Sequence, residues 1–171
     1  MNKFIQGHLE SLDQLVTFIE SLDEADYQYI AEPWFVSSIG EHLRHIVDLY
    51  LAMMNSADLK NIDYDVKRRG SPIEASKKLG LSELVKIRLW LCQISIEEMQ
   101  QDILISTETA LSFQHAEVFK SSFGRELCFA SSHLMHHLAI MGAIAKLAGI
   151  KVDPTLGLAP ATATHVRESA F

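Results

Sequence analysis

Cysteine is scarce in this chain: Cys92 and Cys128 are the only two in 171 residues. A disulfide framework of the kind that staples small secreted domains is therefore not expected to organise the fold. Each cysteine sits inside an apolar helical pattern, which predicts two small buried hydrophobes in a reducing compartment. Positive charge is also in short supply, with 15 Lys and Arg against 22 Asp and Glu and a net charge of −7. That balance argues against electrostatic capture of nucleic acid or of an anionic membrane. Lys67, Arg68 and Arg69 are three charges in a loop, with no wider basic patch around them. No apolar run approaches the ~20 residues of a bilayer span. The first residues, MNKFIQGHLESLDQ, lack the apolar stretch and small-residue cleavage site of a signal peptide. A cytoplasmic protein is expected. Alternating Val-Ile-Thr runs bounded by tight turns are missing as well, which argues against an all-β or α/β fold, and no internal repeat is visible.

What the chain does contain is helical periodicity. From about Asn2 to Leu22, the residues Leu12, Leu15, Ile19 and Leu22 recur at steps of three and four, with Glu10, Asp13 and Glu20 off that face. The run Asp23–Asp26 then breaks the pattern. A second helix is predicted to start near Ser37 or Ser38, where Ser38 followed by Glu41 is a capping-box signature. It carries Ile39, Leu43, Ile46, Tyr50 and Met53 on one face and ends around Asn55 to Asp58. Residues 59–80 form a polar connection containing Pro72 and two glycines, longer than most helix–helix links. The third helix is predicted from Ser82, with one stripe at Val85, Leu89, Cys92, Ile96, Met99 and Ile103 and another at Leu84, Ile87, Leu91 and Ile94. Two stripes need more than one packing partner, which makes a homodimer an expectation. Residues 106–121 read as a polar linker. The fourth helix covers about Gly124 to Leu147 and stops at Gly149. The expected architecture is all-α, a four-helix bundle forming a single domain over residues 1–171, with a long connection between helices 2 and 3. The tail, residues 150–171, is expected to pack as extended chain or short turns.

The last helix concentrates histidine: His133, His136 and His137 fall within five residues. His133 and His137 stand one turn apart and point the same way, alongside Phe129, Ile140 and Ile144, so the pair is expected to face a core. Two imidazoles at that spacing can bind one transition metal without backbone rearrangement. The second helix adds His42 and His45 on the flank of its apolar face. Either would complete three neutral imidazoles and leave coordination positions open. On a helical wheel His42 lies nearer the centre of that face. Zinc suits such a set, and nickel, cobalt and iron are compatible. A ferritin-like di-iron site is disfavoured, because Glu41 is four residues from His45 rather than three, and Glu97 and Glu98 have no histidine beside them. His8, His115 and His165 are assigned to surface or loop, and His136 to a neighbouring helix or solvent.

These features resemble the DinB/YfiT-like superfamily of metalloenzymes. The matching pieces are SSIGEHLRHIVDLY (Ser37 to Tyr50), IDYDVKRRG (Ile62 to Gly70), SSFGRELCFASSHLMHHLAIMGAI (Ser121 to Ile144) and GLAPAT (Gly157 to Thr162). They follow the family order from about Lys3 to Thr162. The resemblance implies a four-helix bundle holding one divalent metal through a histidine on the second helix and a His-x-x-x-His pair on the last. By position the implied ligands are His45, His133 and His137, with His42 as second choice. Many relatives carry Arg-Gly-Gln after the last ligand, whereas this chain has Leu138-Ala139-Ile140, which leaves fewer polar groups near the metal.

The resemblance further implies a metal-dependent enzyme acting on a small molecule, of thiol-dependent transferase or hydrolase type. A low-molecular-weight thiol such as bacillithiol, mycothiol or glutathione would be the co-substrate. Tyr64, Asp65 and Arg68, in the long loop, are candidates for proton donor, base or anion clamp. Their competing role is to pair with one another and fix the loop. Glu41 would either orient His45 or serve the helix N-terminus. The alternative function is a non-catalytic metal-binding or stress-response protein, for which a fourth protein ligand such as His42 or Asp48 would speak.

Overall fold

Ser38 starts the helix on which most of the chemistry depends. Its hydroxyl accepts from the Glu41 backbone N–H at 3.2 Å while its own N–H donates to Glu41 Oε2 at 2.7 Å. This reciprocal capping box satisfies two donors that the helix cannot, and it commits Glu41 to the cap. The computed structural model to which this helix belongs describes residues 3–56 and 61–169. The expected helix start at Asn2, the furthest expected end of the second helix at Asp58, the first two residues of the 59–80 connection and the last two of the tail lie outside them.

Among the described residues, seven α-helices and a small sheet follow one another: α1 (Lys3–Ser21), α2 (Glu24–Gln28), α3 (Ile39–Met54), β1 (Asn61–Asp63), α4 (Lys77–Leu91), α5 (Ile96–Met99), β2 (Asp102–Glu108), β3 (Ala116–Ser122), α6 (Phe123–Leu147) and α7 (Pro160–Ser169). A short 3₁₀ turn, Pro72–Glu74, precedes α4. The four long helices close a ring, with α1 and α3 each packed against both α4 and α6. Leu12, Leu15, Ile19, Leu43, Ile46, Leu84, Ile87, Leu134 and Leu138 fill the middle and are fully buried. Helix α6 ends as its glycine predicts. Gly149 takes φ 82°, and Gly149 and Ile150 donate back to the carbonyls of Lys146 and Ala145, the paired bonds of a Schellman turn.

The fold is not purely helical. Strands β1, β2 and β3 form a sheet in that order, parallel between β1 and β2 and antiparallel between β2 and β3. The third helix stops at Leu91 instead of continuing to Ile103, because Ser95 and Glu98 form their own capping box and begin α5. It also starts earlier than Ser82, at an N-cap on Ser76. Of its two stripes, Leu84, Ile87 and Leu91 are buried, while Val85 and Leu89 face outward. The segment read as a polar linker is a β-hairpin whose outer face supplied the polar residues. The tail folds into α7, and the acidic run Asp23–Asp26 caps and opens α2 rather than serving only as a break.

Three burial expectations are also corrected. Cys92 and Cys128 are exposed, the first as a C-cap and the second on the outer side of α6. His8 is 6% exposed, because α1 turns it toward α6. Helix α6, 25 residues long with an 18-residue window of mean hydropathy 1.3, is long and apolar enough to cross a membrane by length and composition alone. In the structure it lies against α1 and α3 and carries Glu126, His133 and His137.

Candidate metal centre

Helices α3 and α6 pack against each other and bring four histidines together. His45 Nε2 lies 2.8 Å from His133 Nε2, and His137 Nε2 lies 3.0 Å from the same atom. One nitrogen from each of His45, His133 and His137 falls within a 4.8 Å cluster, all three side chains being half-buried. His42 approaches from the other side of His137, Nδ1 to Nδ1 at 2.9 Å. The i,i+4 spacing on α6 and the i,i+3 spacing on α3 give two imidazoles per helix on the facing sides.

The donor set fits a divalent ion. Three neutral imidazoles cannot aim lone pairs at one another at these distances without a proton or cation between them. An ion ~2.1 Å from each of three nitrogens separates them by roughly 3.4 Å, a few tenths of an ångström more than the close pairs here. Burial holds the His137 imidazole down to about 3, with His133, His45 and His42 adding to the effect. Burial likewise takes His45 to about 4, helped by the positive charge of Lys67. His133 is lowered by burial, then by His136 and Lys67, and His42 chiefly by burial. Neutral imidazoles are the form that ligation requires.

A loop crosses the bundle end to reach this cluster, and the sheet anchors its start. Tyr64 donates its backbone N–H to Ser106 O at 3.0 Å, continuing the β1–β2 pairing. Arg68 then donates to Asp48 on α3, through its backbone N–H at 3.1 Å and Nε at 2.7 Å. Arg44 joins Asp48 (2.6 Å) to Glu74 (2.8 Å), and Gly70 N–H closes on Glu74 at 3.0 Å. The result is a staple one turn from His45. Beside it opens a cavity of about 350 Å³ whose walls include Glu41, His42, His45, Arg69 and His137.

The candidates Tyr64, Asp65 and Arg68 go to separate places. The buried Tyr64 hydroxyl donates to Glu126 at 2.8 Å, and burial, then that hydrogen bond, raise its pKa far above the ordinary phenol range. Asp65 accepts from the backbone of Glu108 at 2.7 Å. Arg68 is held by Asp48, so the three do not pair with one another. Sequence reasoning passed over Lys67, whose ammonium donates to the Tyr64 carbonyl and whose charge reaches His45 and His133. A signal was present in the three consecutive cations, of which the sequence reading singles out only Arg68.

Four helices in a ring, with imidazoles from two of them converging at one end, define a helical bundle built around a histidine cluster. Residues 1–168 match the DinB family, and the chain belongs to it. A solved structure of a DinB-like protein from Bacillus subtilis, YjoA, superposes with a TM-score of 0.59 over 90% of this chain and 96% of that one, at 17% identity. At that identity the likeness concerns the fold. A stretch of 116 residues is 31% identical to FK506-binding protein 5 of Rhizopus delemar, covering 68% of this chain but 30% of that longer protein.

Proposed function

We propose that the chain is a metal-dependent enzyme acting on a small molecule by thiol transfer or hydrolysis, with His45, His133 and His137 holding one divalent ion. The convergence of their three ring nitrogens within 4.8 Å carries this reading. Zinc, nickel, cobalt and iron all suit the donors. The ion would supply Lewis acidity, activating a thiol or water or polarising a carbonyl at neutral pH.

The chain's own groups divide the remaining work. Arg69, exposed at the cavity wall, is placed to meet an anionic end of the substrate. Asp48, Arg44 and Arg68 hold the loop that carries it. Glu41 is engaged by the cap of α3 and is not free to serve as a base. With few acid–base groups near the histidines, the nucleophile would come from a low-molecular-weight thiol or from water rather than from a side chain. The exposed thiols of Cys92 and Cys128 suit a reducing, cytoplasmic setting, and the outward-facing Val85 and Leu89 on α4 support a homodimer.

The scarcity of acid–base groups also favours a second reading, a non-catalytic metal-binding protein. Against it, His42 meets His137 on the nitrogen opposite the cluster and does not close a fourth position. Metal content of untagged protein, purified without chelator, tests the site. One divalent ion per chain is expected, lost in His45→Ala and His137→Ala and retained in His42→Ala. A screen of thiol-dependent reactions with the loaded protein then separates enzyme from metal carrier. No uptake of Zn²⁺ or Ni²⁺ by the wild type would overturn both readings.

A further inference from the structure

Resting on the three-histidine reading, we infer that His42 is a positioning residue: its Nδ1 accepts a hydrogen bond from His137 Nδ1–H, turning His137 Nε2 toward the cluster as a bare lone pair. The two Nδ1 atoms are 2.9 Å apart, which leaves room for one shared proton. Two neutral arrangements are possible. If His42 donates, His137 carries its proton on Nε2, aimed at His133 Nε2 only 3.0 Å away, and cannot ligate. If His137 donates, its Nε2 is free for the metal and His42 carries its proton on Nε2. Ligation at His137 selects the second arrangement, and His42 is the acceptor that stabilises it.

The surroundings of His42 give it no competing task. Its Nε2 is buried and lacks a hydrogen-bond partner among the described residues, so the ring is anchored through Nδ1. The two rings tilt at 44° with centroids 5.1 Å apart, so they are not stacked. A metal-bound histidine ordinarily donates its second N–H to a carboxylate, a carbonyl or water. An imidazole in that role is a weaker acceptor than a carboxylate and brings no negative charge. It fixes the ring while leaving the centre's net positive charge intact, which favours an anionic ligand such as a thiolate.

The variants follow from atom positions. His42→Phe keeps a ring and removes the acceptor, whereas His42→Asn keeps an oxygen near the place of Nδ1. Co²⁺ is titrated into wild type, both variants and His45→Ala, in competition with a chelator, while the visible spectrum is followed. One Co²⁺ per chain is expected in wild type and both His42 variants. Affinity should fall ~10–100-fold in His42→Phe and recover at least in part in His42→Asn. The ligand-field bands should persist in both, and His45→Ala should bind none. Equal affinity in His42→Phe and wild type would overturn the positioning role. So would a Co²⁺ site that survives His45→Ala and is abolished by His42→Phe, since His42 would then be the ligand. A through-hydrogen-bond ¹⁵N–¹⁵N coupling between the two Nδ1 atoms reads the contact directly, in metal-free and in Zn²⁺-loaded protein. If the wild type takes up no metal, the three-histidine reading fails, and absence of that coupling would separately remove the bond.

Discussion

Arg68 and Asp48, twenty residues apart, are joined twice, through the arginine's backbone N–H and through its guanidinium. Asp48 also receives Arg44, and its side chain is 1% exposed. Removing one member of a buried charge network leaves the others unpaired. Asp48→Ala should therefore destabilise the protein by about 3–5 kcal/mol and free the loop, so that trypsin cuts faster at Arg68 and Arg69. Urea unfolding and limited proteolysis check the two effects. A small change in both would mean that the network contributes little.

The histidine cluster makes the metal-free protein sensitive to acid. Burial lowers His8, His42, His45, His133 and His137, with His45 at about 4 and His137 at about 3 against an ordinary value of 6.5. Below pH 6.5 the unfolded chain takes up protons that the folded one refuses. The stability contributed by neutral, buried imidazoles is complete above that pH and is lost as pH falls toward 4 and 3. For Asp48 burial acts upward but the Arg68 and Arg44 hydrogen bonds prevail, lowering its pKa, so its contribution is present above 3.8 and is lost as pH falls below that value. The urea midpoint should drop steadily from pH 7 to pH 4. A flat profile would contradict buried neutral histidines.

Two glycines predict effects of opposite sign. A Cβ at Gly40, near the start of α3, would strike the Glu74 carbonyl and the Tyr27 ring, so Gly40→Ala should cost at least ~1–3 kcal/mol through overpacking. Gly7, inside α1, has open space around its missing Cβ, and Gly7→Ala should stabilise by roughly 0.5–1 kcal/mol. Thermal melts of the two variants, compared with wild type, give the sign of each.

Tyr64→Phe separates a structural from a catalytic tyrosine. The hydroxyl serves Glu126, a carboxylate with no exposed surface that is also held by Ser121 and Arg125. Its loss should cost about 1–3 kcal/mol and leave Co²⁺ affinity unchanged. An unaltered melting temperature with lost turnover would reverse that assignment.

The parts visible in the sequence were those set by neighbours along the chain. Ser38 with Glu41, Gly149 after Leu147 and the i,i+4 pair His133 and His137 need only local geometry to be read. The hairpin was hidden because Ile96, Met99 and Ile103 extend a helical period past Cys92, although Ser95 and Glu98 announce a new start between them. Ile103, Leu104 and Ile105 then belong to β2, paired through a register with Ser121, Lys120 and Phe119 that no local pattern displays. The partners of His42, Tyr64 and Arg68 were equally out of reach. Each is chosen by where α3, α6 and the sheet meet, not by spacing.

His45 and His133 are separated by 88 residues, and nothing but the folded bundle brings their rings together. An ion held between them would act as a clasp across the chain, linking its first half to its second. Its occupancy would add to the free energy of unfolding, by about 4 kcal/mol when the ion is present at a thousand times its dissociation constant. The bundle could not open between α3 and α6 without releasing the ion. In such a protein the rate of metal exchange and the rate of opening at one end of the bundle would be two views of the same motion.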